Sequence, residues 1–281
     1  MRIGLSAGGA TAERAIEQAV EAEAAGFSSL WYPGAVAGDP QVQMALAGRA
    51  TETIELGTAV LVTYLAHPTL QASRIRSVAA AVGRPVTLGV GPSHQIVIEG
   101  IGLSYDEVGG HTEAYVKALD AELKGEIAVL LAALGPRLLR VAGEWAQGTI
   151  LWMANARAVE SHVAPRISGA AAHAGRPSPR IVAGLPVAVH DDVEEARVAA
   201  AEQFAIYGTL PNYQRILAHG GISSPAEAAL VGDEDSVTRQ VEALLAAGAT
   251  DVWAAPYPVG ADRAASRART RALLGDLARR P

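Results

Sequence analysis

The chain has 281 residues, half of them hydrophobic, with a formal net charge of −6 and no cysteine. Disulfides, thiolate nucleophiles and cysteine-ligated metals or clusters are thereby excluded, and scattered charge without a basic stripe argues against nucleic acid as a partner. No apolar run approaches the roughly 18 residues of a membrane span, and no charged-then-apolar leader stands before the first strand-like run, so a cytoplasmic protein with no membrane partner is expected.

Strand and helix signals alternate along the chain. A strand-like run at 2–6 precedes an amphipathic segment at 11–25, and the pairs continue as 28–32 with 40–50, 54–61 with 68–82, and 86–90 with 111–123. They go on as 127–133 with 136–146, 148–153 with 159–174, and 180–189 with 193–207. A helix over 236–247 then leads to the last strand at 251–255, and a final helix covers 261–277. Eight strands, each with a helix, predict an α/β protein built as a (β/α)8 TIM barrel, a fold that often fills about 250 residues as one domain, here 1–281. Gly26, Gly83, Gly175 and Gly248 stand where helix C-caps are due. The stretch 208–231, with Pro211, Gly220, Gly221 and Pro225, reads as a loop carrying short helices above the seventh strand. Only Lys124-Gly-Glu126 joins the fourth helix to the fifth strand, a shortened connection.

In such a barrel function sits at the C-terminal strand ends. Those ends hold no carboxylate pair, no His-x-His metal pair and no Ser-His-Asp set, so no metal site is expected and no catalytic residue stands out. They are small, aromatic and amide-like instead, with Tyr32, Tyr64, His94, Gln95, Trp152, Met153 and Asn155, which suits a flat heterocycle that brings its own chemistry. The run Leu88-Gly-Val-Gly-Pro-Ser-His-Gln takes an apolar strand into glycines and then polar side chains. Gly89 and Gly91 would let backbone approach a ring or phosphate, and Ser93, His94 and Gln95 offer donors and acceptors. His94 occupies the place of the third glycine of Gly-x-Gly-x-x-Gly, which breaks the dinucleotide fingerprint. Plainer roles compete: His94 as a loop histidine, His67 as a cap before Pro68, Glu99 as a solvated carboxylate, and Trp152 and Met153 as core. Asp191, Asp192 and the acids at 233–235 read as helix-start charges.

The runs Gly26-Phe-Ser-Ser-Leu-Trp-Tyr-Pro, Ile54-Glu-Leu-Gly-Thr-Ala-Val, His67-Pro, Leu88-Gly-Val-Gly-Pro-Ser-His-Gln and Leu131-Ala-Ala-Leu-Gly-Pro-Arg-Leu-Leu resemble the luciferase-like monooxygenase superfamily, and within it the coenzyme F420-dependent branch common in actinobacteria. The resemblance implies a luciferase-like barrel that binds F420, or alternatively FMN. It implies a cis peptide at Ala59-Val60 under the ring and the phosphate near Gly135, where Pro136 opens a helix. The cofactor-binding residues it implies are Ser6, Ala59, Val60, Ser93, His94, Gln95, Ala133, Gly135, Trp152 and Met153. Hydride transfer to or from a small-molecule substrate is the activity it suggests, with reduction of an activated double bond in a natural-product pathway as the narrower version. The alternatives are an FMN monooxygenase and a barrel that binds cofactor without catalysis; a homodimer is left open. Two departures matter. Relatives carry Asp-His after the second strand where this chain has Trp31-Tyr-Pro-Gly-Ala, and they carry a long excursion, covering the pocket, where residues 124–126 make the short link.

Overall fold

The computed structural model of the chain describes residues 1–8, 11–34 and 38–280. Its strands are β1 (Ile3–Ser6), β2 (Ser29–Tyr32), β3 (Glu55–Thr58), β4 (Leu61–Val62), β5 (Val86–Gly91), β6 (Ala128–Leu131), β7 (Gly148–Trp152), β8 (Arg180–Val189), β9 (Leu230–Gly232) and β10 (Asp251–Pro256). All pair in parallel in the order β10-β1-β2-β3-β5-β6-β7-β8, and β8 pairs back onto β10, which closes an eight-stranded barrel. β3 and β4 are two halves of one barrel strand, separated by a cis peptide at Ala59-Val60. β9, hidden within the expected loop at 208–231, extends the sheet by pairing with the far end of β8.

The helices are α1 (Ala12–Ala24), α2 (Pro40–Arg49), α3 (Pro68–Val82), α4 (Gln95–Gly100), α5 (Val108–Leu123) and α6 (Pro136–Trp145). α7 (Ala156–Ala158) runs through a π-helical turn (Val159–Val163) into α8 (Ala164–His173). Then come α9 (Val193–Gln203), a 3-10 turn (Ala205–Thr209), α10 (Pro211–His219), α11 (Pro225–Ala228), α12 (Glu234–Ala246) and α13 (Arg263–Ala278). Their starts follow the side-chain chemistry: Asp192 and Asp233 accept from backbone amides as N-caps, and His67 accepts from Thr69 N at 3.3 Å. Gly83 closes α3 in the left-handed conformation at φ 75°. No helix among the described residues is long and apolar enough to cross a membrane.

Two apolar layers result. The larger lies between the barrel and its helices, and a small one of Trp31, Leu130, Ile150, Val182 and Trp253 fills the lumen. Gly57 and Gly184 make room for the two indoles: a Cβ on Gly184 would stand 2.0 Å from Trp253 Nε1, and one on Gly57 would stand 2.4 Å from Trp31 Cζ3. Below them the N-terminal end of the barrel is sealed by ions. Arg180 lies 5.6 Å from the Trp31 ring centroid and holds Glu55 and Asp251, each at 2.6 Å, with Arg2 joining both acids. This seal leaves the C-terminal end as the open one.

The short link holds as read, with Lys124 and Gly125 both left-handed at φ 49° and 80°. Its implied consequence for the pocket is corrected. Helix-to-strand connections in a parallel barrel return to the N-terminal strand ends, and Glu126 and Ala128 accordingly lie beside Glu55, Thr87 and Arg180 at the sealed end. An excursion between α5 and β6 would face away from the open end. The cover there is built instead from α4 with the loop that follows it, and from the 3-10 turn with α10.

Candidate functional site

A cavity of ≈ 1360 Å³ opens at the C-terminal ends of the strands. Its floor is made by Ser6, the Ala59-Val60 bulge, Ala133 and Trp253, and its walls by α4 on one side and the 3-10 turn and α10 on the other. Glycines bring the bulge into the mouth. A Cβ on Gly34 would stand 2.0 Å from Val60 O, one on Gly89 2.0 Å from Thr58 O, and one on Gly91 2.9 Å from Val60 Cγ2. Side chains there would push β3 and β4 off their neighbours. The role expected for Gly89 is therefore corrected, since protein fills the space beside its Cα, whereas Gly91 does line the cavity although its Cβ position is taken by Val60 and Ala132.

Ser93 is held left-handed at φ 63°, with its carbonyl accepting from Tyr105 Oη at 2.8 Å. His94 stands at the N-cap position of α4 but makes no cap bond; its ring lies 5.6 Å from that of Tyr213 across the cavity. Gln95 lines the mouth while its amide donates to Glu99 at 2.8 Å. Gly135 is the N-cap of α6, followed by Pro136, and no side chain caps this helix. The first bond of its ladder runs from Leu139 N to Gly135 O, so the amides of Arg137 and Leu138 stand ahead of it without helical acceptors. Nothing lies within 4 Å of where a Gly135 Cβ would be. An uncapped helix start facing open space is what an anion needs.

Of the ten implied residues, Ser6, Ala59, Val60, Ser93, His94, Gln95, Ala133, Gly135 and Trp152 come together around this one cavity. Met153 does not. It is fully buried in the layer behind the wall: β7 ends at Trp152, which takes the cavity side, and Met153, just past the strand, turns left-handed at φ 65°. Tyr32 is likewise buried under α1, where its hydroxyl donates to Ala15 O at 3.3 Å. Tyr64 stacks on His111 at 3.9 Å, and Asn155 caps α7. Residues that sequence reasoning missed complete the wall: Phe204 and Tyr207 meet Trp152 edge-on at 6.0 and 5.8 Å, Trp253 lies 5.0 Å from it, and Tyr213, Arg137 and Arg215 stand nearer the rim. The spacing Phe204-x-x-Tyr207 and Tyr213-x-Arg215 in the segment above the seventh strand was the available signal.

The electrostatics are those of a binding surface rather than an acid–base centre. Burial lowers the His94 pKa, and burial with Tyr64 nearby pushes Tyr105 up to about 12. Neither group is paired with a carboxylate that would activate it, and among the described residues no group of three His, Cys, Asp or Glu could hold a metal ion. A broad aromatic and aliphatic slot with an anion-ready helix start at one end can orient a flat ring carrying a phosphate.

A closed parallel barrel with a broad cavity at its C-terminal strand ends belongs to the class of α/β-barrel proteins whose sites lie there. The luciferase-like monooxygenase family matches residues 2–260, and the chain belongs to that family. A 5,10-methylenetetrahydromethanopterin reductase from Methanopyrus kandleri is 25% identical over 286 residues, covering 78% of this chain and 81% of that protein. Among solved structures, an F420-dependent secondary alcohol dehydrogenase in complex with an F420-acetone adduct superposes with a TM-score of 0.80 at 15% identity, covering 100% of this chain and 99% of that one. The FMN-bound oxygenating constituent of 3,6-diketocamphane monooxygenase from Pseudomonas putida gives 0.76 at 17% identity, with 99% and 97% covered.

Proposed function

We propose that this barrel is an F420-dependent oxidoreductase that transfers a hydride to or from a small organic substrate. The observation that carries the reading is the cavity itself, a slot of ring-stacking and aliphatic side chains that ends at the uncapped start of α6 and has no activated acid, base or nucleophile. The deazaflavin, when bound, supplies the hydride-transferring carbon at position 5 of its ring. In this reading the Ala59-Val60 bulge, braced by Gly34 and Gly89, backs one face of the ring and leaves the other to the substrate. The amides of Arg137 and Leu138 hold the phosphate in front of Gly135. Trp152, Phe204, Tyr207 and Tyr213 exclude water around the reacting face, which strengthens orientation and suppresses side reactions. The F420-dependent alcohol dehydrogenase that shares the fold supports this cofactor; an activated double bond is the proposed acceptor. The FMN-bound neighbour supports a second reading, an FMN monooxygenase of the same fold.

The test is turnover. With reduced F420 and a panel of α,β-unsaturated carbonyl acceptors, the protein should reoxidise the deazaflavin in an acceptor-dependent way. Oxygen-dependent product formation with reduced FMN and none with F420 would establish the second reading. Tight F420 binding with no turnover on alkenes, ketones or alcohols would leave a cofactor-binding barrel.

A further inference from the structure

His162 does not line the cavity, and nothing in the proposed chemistry uses it, yet it is buried at 2% exposure behind Leu134, which does. The π-helical turn Val159–Val163 carries it there, and such turns recur at functional sites because the extra residue re-aims a side chain. Its Nε2 lies 2.8 Å from Leu134 O. A carbonyl only accepts, so Nε2 bears the proton and Nδ1 is the bare nitrogen, which is buried with no partner. Its ring stacks on that of His219, the last residue of α10, at 3.7 Å and 19°. Burial depresses the His162 pKa, with His219 and Arg166 adding to that effect against the Leu134 bond.

Leu134 is the residue before Gly135, and both line the cavity. Leu134 precedes the extended N-cap Gly135, so its carbonyl lies outside the helical ladder, and His162 is the partner that holds it. The same imidazole thus fixes the turn at residues 133–135 and, through His219, the end of the α10 wall, whose next residue, Gly220, gives its carbonyl to Asn155 at 3.1 Å. An apolar side chain would fill this place without leaving a buried nitrogen unsatisfied.

We propose that His162 is a positioning residue of the cofactor site, which by binding the Leu134 carbonyl fixes the turn into α6 and so aims the free Arg137 and Leu138 amides at the anionic end of the ligand. The inference rests on the reading above that the phosphate meets the start of α6. The test titrates F420 and its phosphate-free ribityl core into the wild type, His162→Met, His162→Gln and Gly135→Asp, with thermal melts of each. His162→Met should weaken F420 about tenfold while the core binds within about twofold of wild type. His162→Gln, whose amide nitrogen reaches the place of Nε2, should restore most of the loss. Should His162→Met fail to fold, His162→Asn, too short to reach Leu134, makes the same comparison with a polar side chain. Equal losses for both ligands would make His162 a packing residue, and no loss for F420 would remove it from the site; either overturns the inference while Gly135→Asp still weakens F420. If Gly135→Asp leaves F420 binding unchanged, the phosphate reading falls and takes this inference with it.

Discussion

Gly135 concentrates what single residues do in this site. Its φ of −94° is open to any side chain, and nothing lies within 4 Å of the Cβ it lacks, so Gly135→Asp should fold. An aspartate at that position caps the free amides of α6 and complements the helix dipole, so the melting temperature should hold or rise. The same carboxylate repels a phosphate and occupies its donors. Binding of F420 should therefore drop by about tenfold or more, measured by titration; a variant that melts normally and binds normally would place the anion elsewhere. Residue chemistry was legible where it depended on type and local context: the glycine-proline helix start, the His67 cap, the polar residues after β5. It failed where the facing of a side chain decided. Trp152 and Met153 are adjacent and both suit a ring, but the strand ends at Trp152, which faces the cavity, and the left-handed turn at Met153 sends the next side chain into the layer behind it. Tyr32 stands at a strand end yet turns outward beneath α1.

The eight strands and their major helices were readable because hydrophobic period and glycine or proline boundaries agree over long segments. Three elements escaped, each for a physical reason. β9 has three residues, too few to show a period. α4, Gln95-Ile-Val-Ile-Glu-Gly100, has six residues, too few to show a helical period, and follows a run of glycine, proline and polar residues that reads as loop. The π turn leaves the overall helical pattern at 159–174 intact and shifts only the facing of His162. The link between α5 and β6 carried a different error: its length was right, and its place at the sealed end follows from strand direction, not from length. Asn155 tests how the wall elements are held. Its side chain accepts from Ala158 N and donates to Gly220 O, joining the start of α7 to the end of α10. Asn155→Ala should cost about 1 kcal/mol of stability. It should also raise the KM for substrate more than it lowers kcat, because α10 forms the cavity wall. Chemical denaturation and steady-state kinetics check the two halves, and an unchanged KM would show that α10 is held by packing alone.

At the scale of the whole molecule, stability is concentrated at one end of the barrel and chemistry at the other. Asp251, 2% exposed, anchors the Arg180 and Arg2 guanidiniums at the sealed end. Asp251→Asn leaves Glu55 as the charge partner of Arg180 and removes the buried one; it should cost about 3 kcal/mol, while F420 affinity stays within about twofold of wild type. A large loss of affinity at equal foldedness would deny the division. Burial raises the Asp251 pKa, but the bonds and charge of Arg180, with Thr250 and Arg2, outweigh it and hold the carboxyl below its ordinary 3.8. Its stability is therefore present above that value and lost as the pH falls through the folded one. His94, His111 and His162, each lowered by burial from 6.5, act earlier: below 6.5 the unfolded chain takes up protons first, so stability declines there as well. Thermal midpoints across pH should show both declines, with the lower one shallower in Asp251→Asn. The central claim, that the open end of this barrel is a deazaflavin site, is met most directly by titrating the purified protein with F420 and with FMN under the same conditions. The account predicts saturable binding with clear preference for F420, and preference for FMN would contradict it.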